Sequence, residues 1–288
     1  MMNVIAEQLV NGLTLGAIYA LIALGYTMVY GILLMINFAH SEIFMTGAFV
    51  GCGVLVLTSF LPPMASLIVA FTVSPFVCGA LAVVIERFAY RPLRRASRLA
   101  PLISAIGVSI VLQNAFFLWR DDFLPVPTFL PPGSVQTIII FCSLLMMGGL
   151  WVFVNHTRLG QAIRACSQDR DAAGLMGINV NAIISLTFFI GAVLGAVAGV
   201  LYSLNYGSIK YNMGFVPGMK AFTAAVLGGI GNIPGAMLGG LLLGVSEALG
   251  AAFLPEAEWK DVFAFGILIL VLIFRPSGLL GERTAEKV

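Results

Sequence analysis

Two titratable residues, His40 and Glu42, close a short polar run, Asn37-Phe38-Ala39-His40-Ser41-Glu42, set between long apolar stretches. Titratable residues at membrane depth are expensive and by default suggest function. A further carboxylate, Glu247, stands without a neighbouring partner in Pro234–Phe253 and reads as lining an interior seam. Other chemistries lack their residues. His40 and His156 are far apart, and neither has a second type of metal ligand beside it. Cys52, Cys78, Cys142 and Cys166 form no CxxC pair, and three of them sit in apolar runs where cysteine acts as a small hydrophobe. No nucleophile elbow, HExxH or paired-carboxylate pattern points to hydrolysis. Lys210, Lys220, Lys260 and Lys287 never follow a glycine, so the chain has no Walker A loop to cradle phosphates. No cofactor or metal is expected, and any ATP would be bound by another chain.

The elements that position these residues follow from composition. Of the 288 residues 60% are hydrophobic and 10% charged, with a mean hydropathy of +1.02. A water-soluble domain of this size carries about a quarter charged residues, so this chain lacks the polar material to wrap a core. A net charge of +2 gives no reason to expect a nucleic-acid partner. The expected class is an all-α, polytopic bundle of about 8 transmembrane helices (range 7–9), with one or two interrupted membrane segments. The spans read as Leu9–Tyr30, Ile43–Phe60, Met64–Ile85, Leu99–Trp119, Val135–Val154, Asn181–Asn205, Pro234–Phe253 and a short Val262–Phe274. Pro62-Pro63 divides the second from the third. Met1 to Val10 hold no Lys or Arg and no cleavage-site pattern follows, so the first apolar run is expected to stay in the bilayer.

Basic residues set the orientation. Arg87, Arg91, Arg94, Arg95 and Arg98 form one group, Arg158, Arg164 and Arg170 another, and Arg275, Arg283 and Lys287 a third. An arginine at the centre of a membrane helix costs about 3 kcal/mol, so the groups are expected outside the core and on the cytoplasmic side. Counting spans puts Asp121–Ser134 and Tyr206–Gly218 outside, the C-terminus inside and the N-terminus periplasmic. Parity then requires one more crossing, and only Met219–Ile230 is available, about 18 Å of helix against a ~30 Å core. Gly228-Gly229-Ile230-Gly231-Asn232-Ile233-Pro234-Gly235 follows it and cannot continue a regular helix. This is either a broken helix beside a pathway or a tight helix–helix turn near the cytoplasmic surface.

The polar run has two readings as well: a functional cluster at membrane depth, or a cap on the next helix at the inner interface. With the broken segment it yields a candidate path, Asn37, His40, Glu42, Gly229, Gly231, Asn232 and Glu247. Gly191, Gly195 and Gly199 repeat at helical spacing and are expected to let helix backbones pack closely, as are Gly12/Gly16 and Gly47/Gly51. In the polar connector, residues 155–180, Asp169 and Asp171 suit a helix N-terminus and Gly177 a stop, which predicts a short helix outside the membrane.

Three runs carry a family resemblance. Asn11–Leu21 (NGLTLGAIYAL), Gly25–Gly31 with Ile36–His40, and Gly218–Ala236 (GMKAFTAAVLGGIGNIPGA) resemble the shorter permease of high-affinity leucine/isoleucine/valine ABC importers, and the likeness covers essentially the whole chain. The resemblance implies a single transmembrane permease domain over residues 1–288 in a bacterial inner membrane. It implies a second related permease, two cytoplasmic ABC ATPases and a periplasmic substrate-binding protein as partners, within the lipid bilayer. Such permeases meet their ATPases through a loop written EAA, three residues, then Gly. Asp171-Ala172-Ala173-Gly174-Leu175-Met176-Gly177 fits that spacing with Asp for Glu, although the Leu-Pro pair common downstream is absent after Ile178. The residues implied for ATPase coupling are Arg164, Asp171, Ala172, Ala173 and Gly177. Urea or short-amide permeases of the same kind remain an alternative, as does a secondary carrier that needs no ATPase.

Overall fold

The computed structural model describes residues 2–94, 96–97, 99–127, 130–131, 133–253, 259–275 and 277–281. Arg95, Arg98, Arg283 and Lys287 lie outside the described residues. The chain is a helical bundle, and seven described helices are long and apolar enough to cross a membrane.

Helix α1 (Met2–Leu33) is its axis. It is apolar on every face, as a helix enclosed by others must be, and Ala17 to Leu24 are buried. Its neighbours are α5 (Ser134–His156), α8 (Val180–Tyr206), α9 (Phe215–Gly228) and α10 (Ile233–Phe253). Glycines make these approaches possible. A methyl added at Gly12 would strike Val245, one at Gly16 would strike Gly240 and Leu241, and one at Gly240 would strike Ala20. Residues 12 and 16 therefore meet residues 245 and 240, an antiparallel seam of backbone on backbone, where dispersion rather than hydrophobic burial supplies the attraction.

Helix α2 (His40–Leu57) packs on α8 in the same manner, with Gly47 against Ala196 and Gly199 against Phe44 and Ala48. Gly191 and Gly195 complete the α8 series, facing Gly25 and His40. All three predicted packing glycines thus sit in seams with α1 and α2. Helix α3 (Pro63–Ile85) starts on its proline, and Ser74 on it donates to the Gly47 carbonyl of α2 at 2.7 Å. It runs on through a π turn (Glu86–Tyr90) into a 3-10 turn (Arg91–Leu93). Helix α4 (Leu99–Trp119) is the outlier, with only Pro101 and Ala105 buried.

Two short strands fix one end of the bundle. β1 (Leu124–Pro125) pairs antiparallel with β2 (Ser208–Ile209), Leu124 opposite Ile209. The two loops that parity assigned to one side thus meet. At the opposite end, where Arg91 and Arg94 lie, the connector forms two helices, α6 (Arg158–Gln168) and α7 (Arg170–Leu175), rather than the one expected. Asp169 divides them because its extended backbone ends α6 while its carboxylate caps α7.

The predicted half-helix is α9, 14 residues or about 21 Å long. It ends at Gly228, where Gly229 and Gly231 take left-handed φ angles of 105° and 93° that favour glycine. Helix α11 (Trp259–Phe274) closes the bundle against α9 and α10.

Candidate functional site

Between α1 and α2 the backbone leaves helix for Leu34 to Ala39, and α2 begins inside the protein. His40 is 1% exposed and Glu42 1%, and both lie midway along the bundle. Glu42 Oε1 accepts from Ser109 Oγ at 3.2 Å, and Ser109 is the middle of α4. His40 stands beside Gly195, near the middle of α8, with its ring 4.9 Å from that of Tyr26. Irregular backbone at this depth is tolerated only inside protein, and here it is tied down. Asn37 Oδ1 accepts from the Tyr90 hydroxyl at 2.5 Å, and Ser41 Oγ donates to the Phe38 carbonyl at 2.9 Å.

A cavity of about 340 Å³ opens here, lined by Tyr26, Phe38, Ser41, Glu42, Ser109 and Gln113 together with Ile106, Ile110, Phe215 and Met219. Its walls are mostly apolar, and Glu42 Oε2 has no hydrogen-bond partner among the described residues. The cavity opens on the flank between α4 and α9, where Ile106, Ile110 and Phe215 are exposed.

Glu247 is placed elsewhere and is not alone. Lys220 of α9 donates to its Oε1 at 2.6 Å, and Lys220 also lies 2.6 Å from Asp261 of α11. Lys220 and Glu247 are each 3% exposed. The lysine was not singled out from sequence, although a lone cation within an apolar run was the available signal. The trio ties α9, α10 and α11 together.

Gly229, Gly231 and Asn232 do not join Glu42 either. They form a tight turn on the arginine-bearing end, under the segment that follows α11. Leu279 N–H donates to Leu227 at 2.8 Å and Leu280 N–H to Gly228 at 3.0 Å. Asn232 Nδ2 donates to the Leu280 carbonyl at 2.8 Å while its Oδ1 accepts from Gly235 N–H at 2.9 Å. Asn232 therefore caps α10 and pins the tail at once.

The connector makes a hook at that same end. Asp169 Oδ1 accepts from the backbone N–H groups of Asp171 (2.9 Å) and Ala172 (3.0 Å), and Gly177 stops the chain with φ 87°. Ala173 is buried against the bundle, Ala172 is exposed, and Arg164 donates to Asn155 at 3.2 Å. Beyond the predicted residues, Leu175 is 90% and Met176 83% exposed, two large apolar side chains on the tip. Beside them lies a groove of about 880 Å³ lined by Arg91, Arg94, Arg170, Asp171 and Leu175. Two of its arginines, Arg91 and Arg94, are held by Glu86, which is fully buried and also accepts from Ser185 Oγ at 2.7 Å. Burial pulls the Arg94 guanidinium below its ordinary value, and the Glu86 carboxylate opposes that.

Residues 8–272 match the family described as branched-chain amino acid transport system / permease component. The chain is 53% identical to the high-affinity branched-chain amino acid transport system permease protein BraD of Pseudomonas aeruginosa, over 98% of this chain and 97% of the relative. It is 48% identical to LivH of Escherichia coli K12, with the same coverage, and 25% identical to a probable LivH of Methanocaldococcus jannaschii over 91% of this chain and 88% of that one.

Proposed function

The chain belongs to the permease-component family of branched-chain amino acid transport systems, and on that premise we propose that it is a membrane-spanning permease of an ATP-driven importer carrying branched-chain amino acids into the cytoplasm. It is a multi-pass membrane protein, and in this reading its membrane is the bacterial inner membrane. The arginine-bearing end faces the cytoplasm with the C-terminus, and the strand end and N-terminus face the periplasm. A second, related permease packs on the flank between α4 and α9, so that the path runs between the two subunits. Two ATPases sit under the hook, and a periplasmic binding protein delivers substrate at the strand end.

The observation that carries this reading is the hook. A solvated connector has no reason to hold Leu175 and Met176 in water on a capped, six-residue helix beside a groove of braced arginines. A partner that covers them would couple directly to α8, which follows the hook and packs on both α1 and α2. Force applied at α7 thus reaches the helix that bears Glu42 through glycine seams that leave no slack.

The test replaces Ala172, which is exposed on the hook, with arginine. Ala172→Arg is expected to insert normally, to lose co-purification with the ATPases and to abolish leucine uptake. Full uptake by this variant would reduce the hook to a connector.

A further inference from the structure

The transport reading leaves open how an apolar-walled path recognises an amino acid at all. Aliphatic side chains are satisfied by the cavity walls, but the ammonium and carboxylate of a zwitterion are costly at the centre of a membrane protein. Glu42 is built as though to meet that cost. One carboxylate oxygen is held by Ser109, with the Ser41 hydroxyl 3.5 Å away. The other, Oε2, is buried, lines the cavity and has no partner among the described residues. Gly214 lies beside it. A methyl added there would stand 3.1 Å from Oε2 and tighter still against the Ser41 carbonyl, so the missing side chain keeps this space open.

We propose that the cavity is a transit subsite for an aliphatic α-amino acid, with Glu42 Oε2 receiving the α-ammonium. Ile106, Phe215 and Met219 then take the hydrocarbon side chain, and Gln113 offers the carboxylate an amide donor. A volume of about 340 Å³ is at the small end for ligand pockets and suits a single amino acid. The permease itself therefore reads one feature of its cargo, a cation next to an apolar group. A sugar hydroxyl or a neutral amide N–H would give Oε2 a hydrogen bond but no counter-charge, and so would satisfy it less well than an ammonium does. The inference rests on the transport reading and goes beyond it by giving the substrate's ammonium a counter-charge.

The experiment uses the complete importer in proteoliposomes, with both permeases, the ATPases and the binding protein, and measures leucine uptake and ATP hydrolysis together. Glu42→Gln keeps the shape and removes the charge. It is expected to lower uptake about tenfold or more, the scale of losing one charge-assisted hydrogen bond, while leucine-loaded binding protein still stimulates ATP hydrolysis as in the wild type. Glu42→Asp should keep most uptake, and Gly214→Ala, which fills the space beside Oε2 without touching the charge, should uncouple in the same way as Glu42→Gln. Wild-type uptake by Glu42→Gln would overturn the proposal. So would uptake and ATP hydrolysis falling together in all three variants, because that pattern marks a structural carboxylate or one completed by a cation of the second permease. Absence of leucine uptake by wild-type vesicles would overturn the transport reading, and this inference with it.

Discussion

Helix α9 carries two buried charge environments that differ in one respect, the presence of a cation. Near its start, Gly214 and Met219 border Glu42, whose free oxygen faces a cavity. One residue after Met219, Lys220 points a little over a quarter-turn away and meets Glu247 at 2.6 Å. Both carboxylates are equally withdrawn from solvent. The Glu247 charge is cancelled within the chain and serves to hold three helices in register. The Glu42 charge is left for something that comes and goes. An unpaired buried carboxylate is expensive, so its retention beside an open cavity points to a role that packing alone does not supply. The difference between the two sites gives each variant an expected sign.

The largest effect is expected at the paired site. Lys220→Met removes the cation and strands Glu247 in an apolar seam, which should destabilise the protein by about 3–5 kcal/mol, read as a fall in the thermal unfolding midpoint of the detergent-purified complex. Adding Glu247→Leu should restore most of that loss, since a well-packed apolar pair replaces a buried ion pair at little or no cost. A Lys220→Met protein as stable as wild type would end the comparison, because Glu247 would then need no partner.

A smaller loss separates packing from charge around Glu42. Gly195 faces His40, and a methyl there would come within 3.2 Å of the ring. Gly195→Leu is therefore expected to destabilise by about 1–3 kcal/mol through overpacking. Glu42→Gln, by contrast, should leave the unfolding midpoint unchanged or raise it while uptake falls. Stability would then move with volume at residue 195 and function with charge at residue 42. If Glu42→Gln lowered the midpoint as far as Lys220→Met does, the two carboxylates would be alike.

Much of this arrangement is legible in the sequence, because membrane helices announce themselves by length and by the absence of charge. Leu99–Trp119 is found at its predicted bounds, and Asn181–Asn205 and Pro234–Phe253 each differ from the structure by no more than a residue or so at each end. The polar run and the glycine spacing are equally visible. Less visible are the partners across helices. Lys220 and Glu247 sit on different helices, so no local pattern connects them, and the same holds for Glu86 with Arg94 and for Asn232 with Leu280. Ile43–Phe60 starts late because His40 to Glu42 read as too polar for a helix inside a membrane, whereas Ser109 and the neighbouring helices enclose them. The hook was expected as one helix because Asp169 reads as an ordinary cap, and its capping of α7 is what ends α6.

The smallest effect should come from the third member of the paired site. Asp261 lies 2.6 Å from Lys220, as close as Glu247 does, but its side chain is 40% exposed and its Oδ1 lies outside hydrogen-bond geometry. Although Oδ1 itself is buried, the rest of the Asp261 side chain meets water and ions that screen its attraction, and such half-exposed pairs contribute about 0–1 kcal/mol. With one lysine between two carboxylates the trio also carries an excess negative charge, so removing the outer one relieves some repulsion on Glu247. The two effects oppose each other. Asp261→Asn is expected to shift stability by less than about 1 kcal/mol in either direction, with a dependence on salt that Lys220→Met does not show. Thermal unfolding at low and high salt measures this directly. A loss at Asp261→Asn approaching that of Lys220→Met would mean that the lysine is held chiefly by α11, and Glu247 would then be nearer to Glu42 in character than its 2.6 Å contact implies.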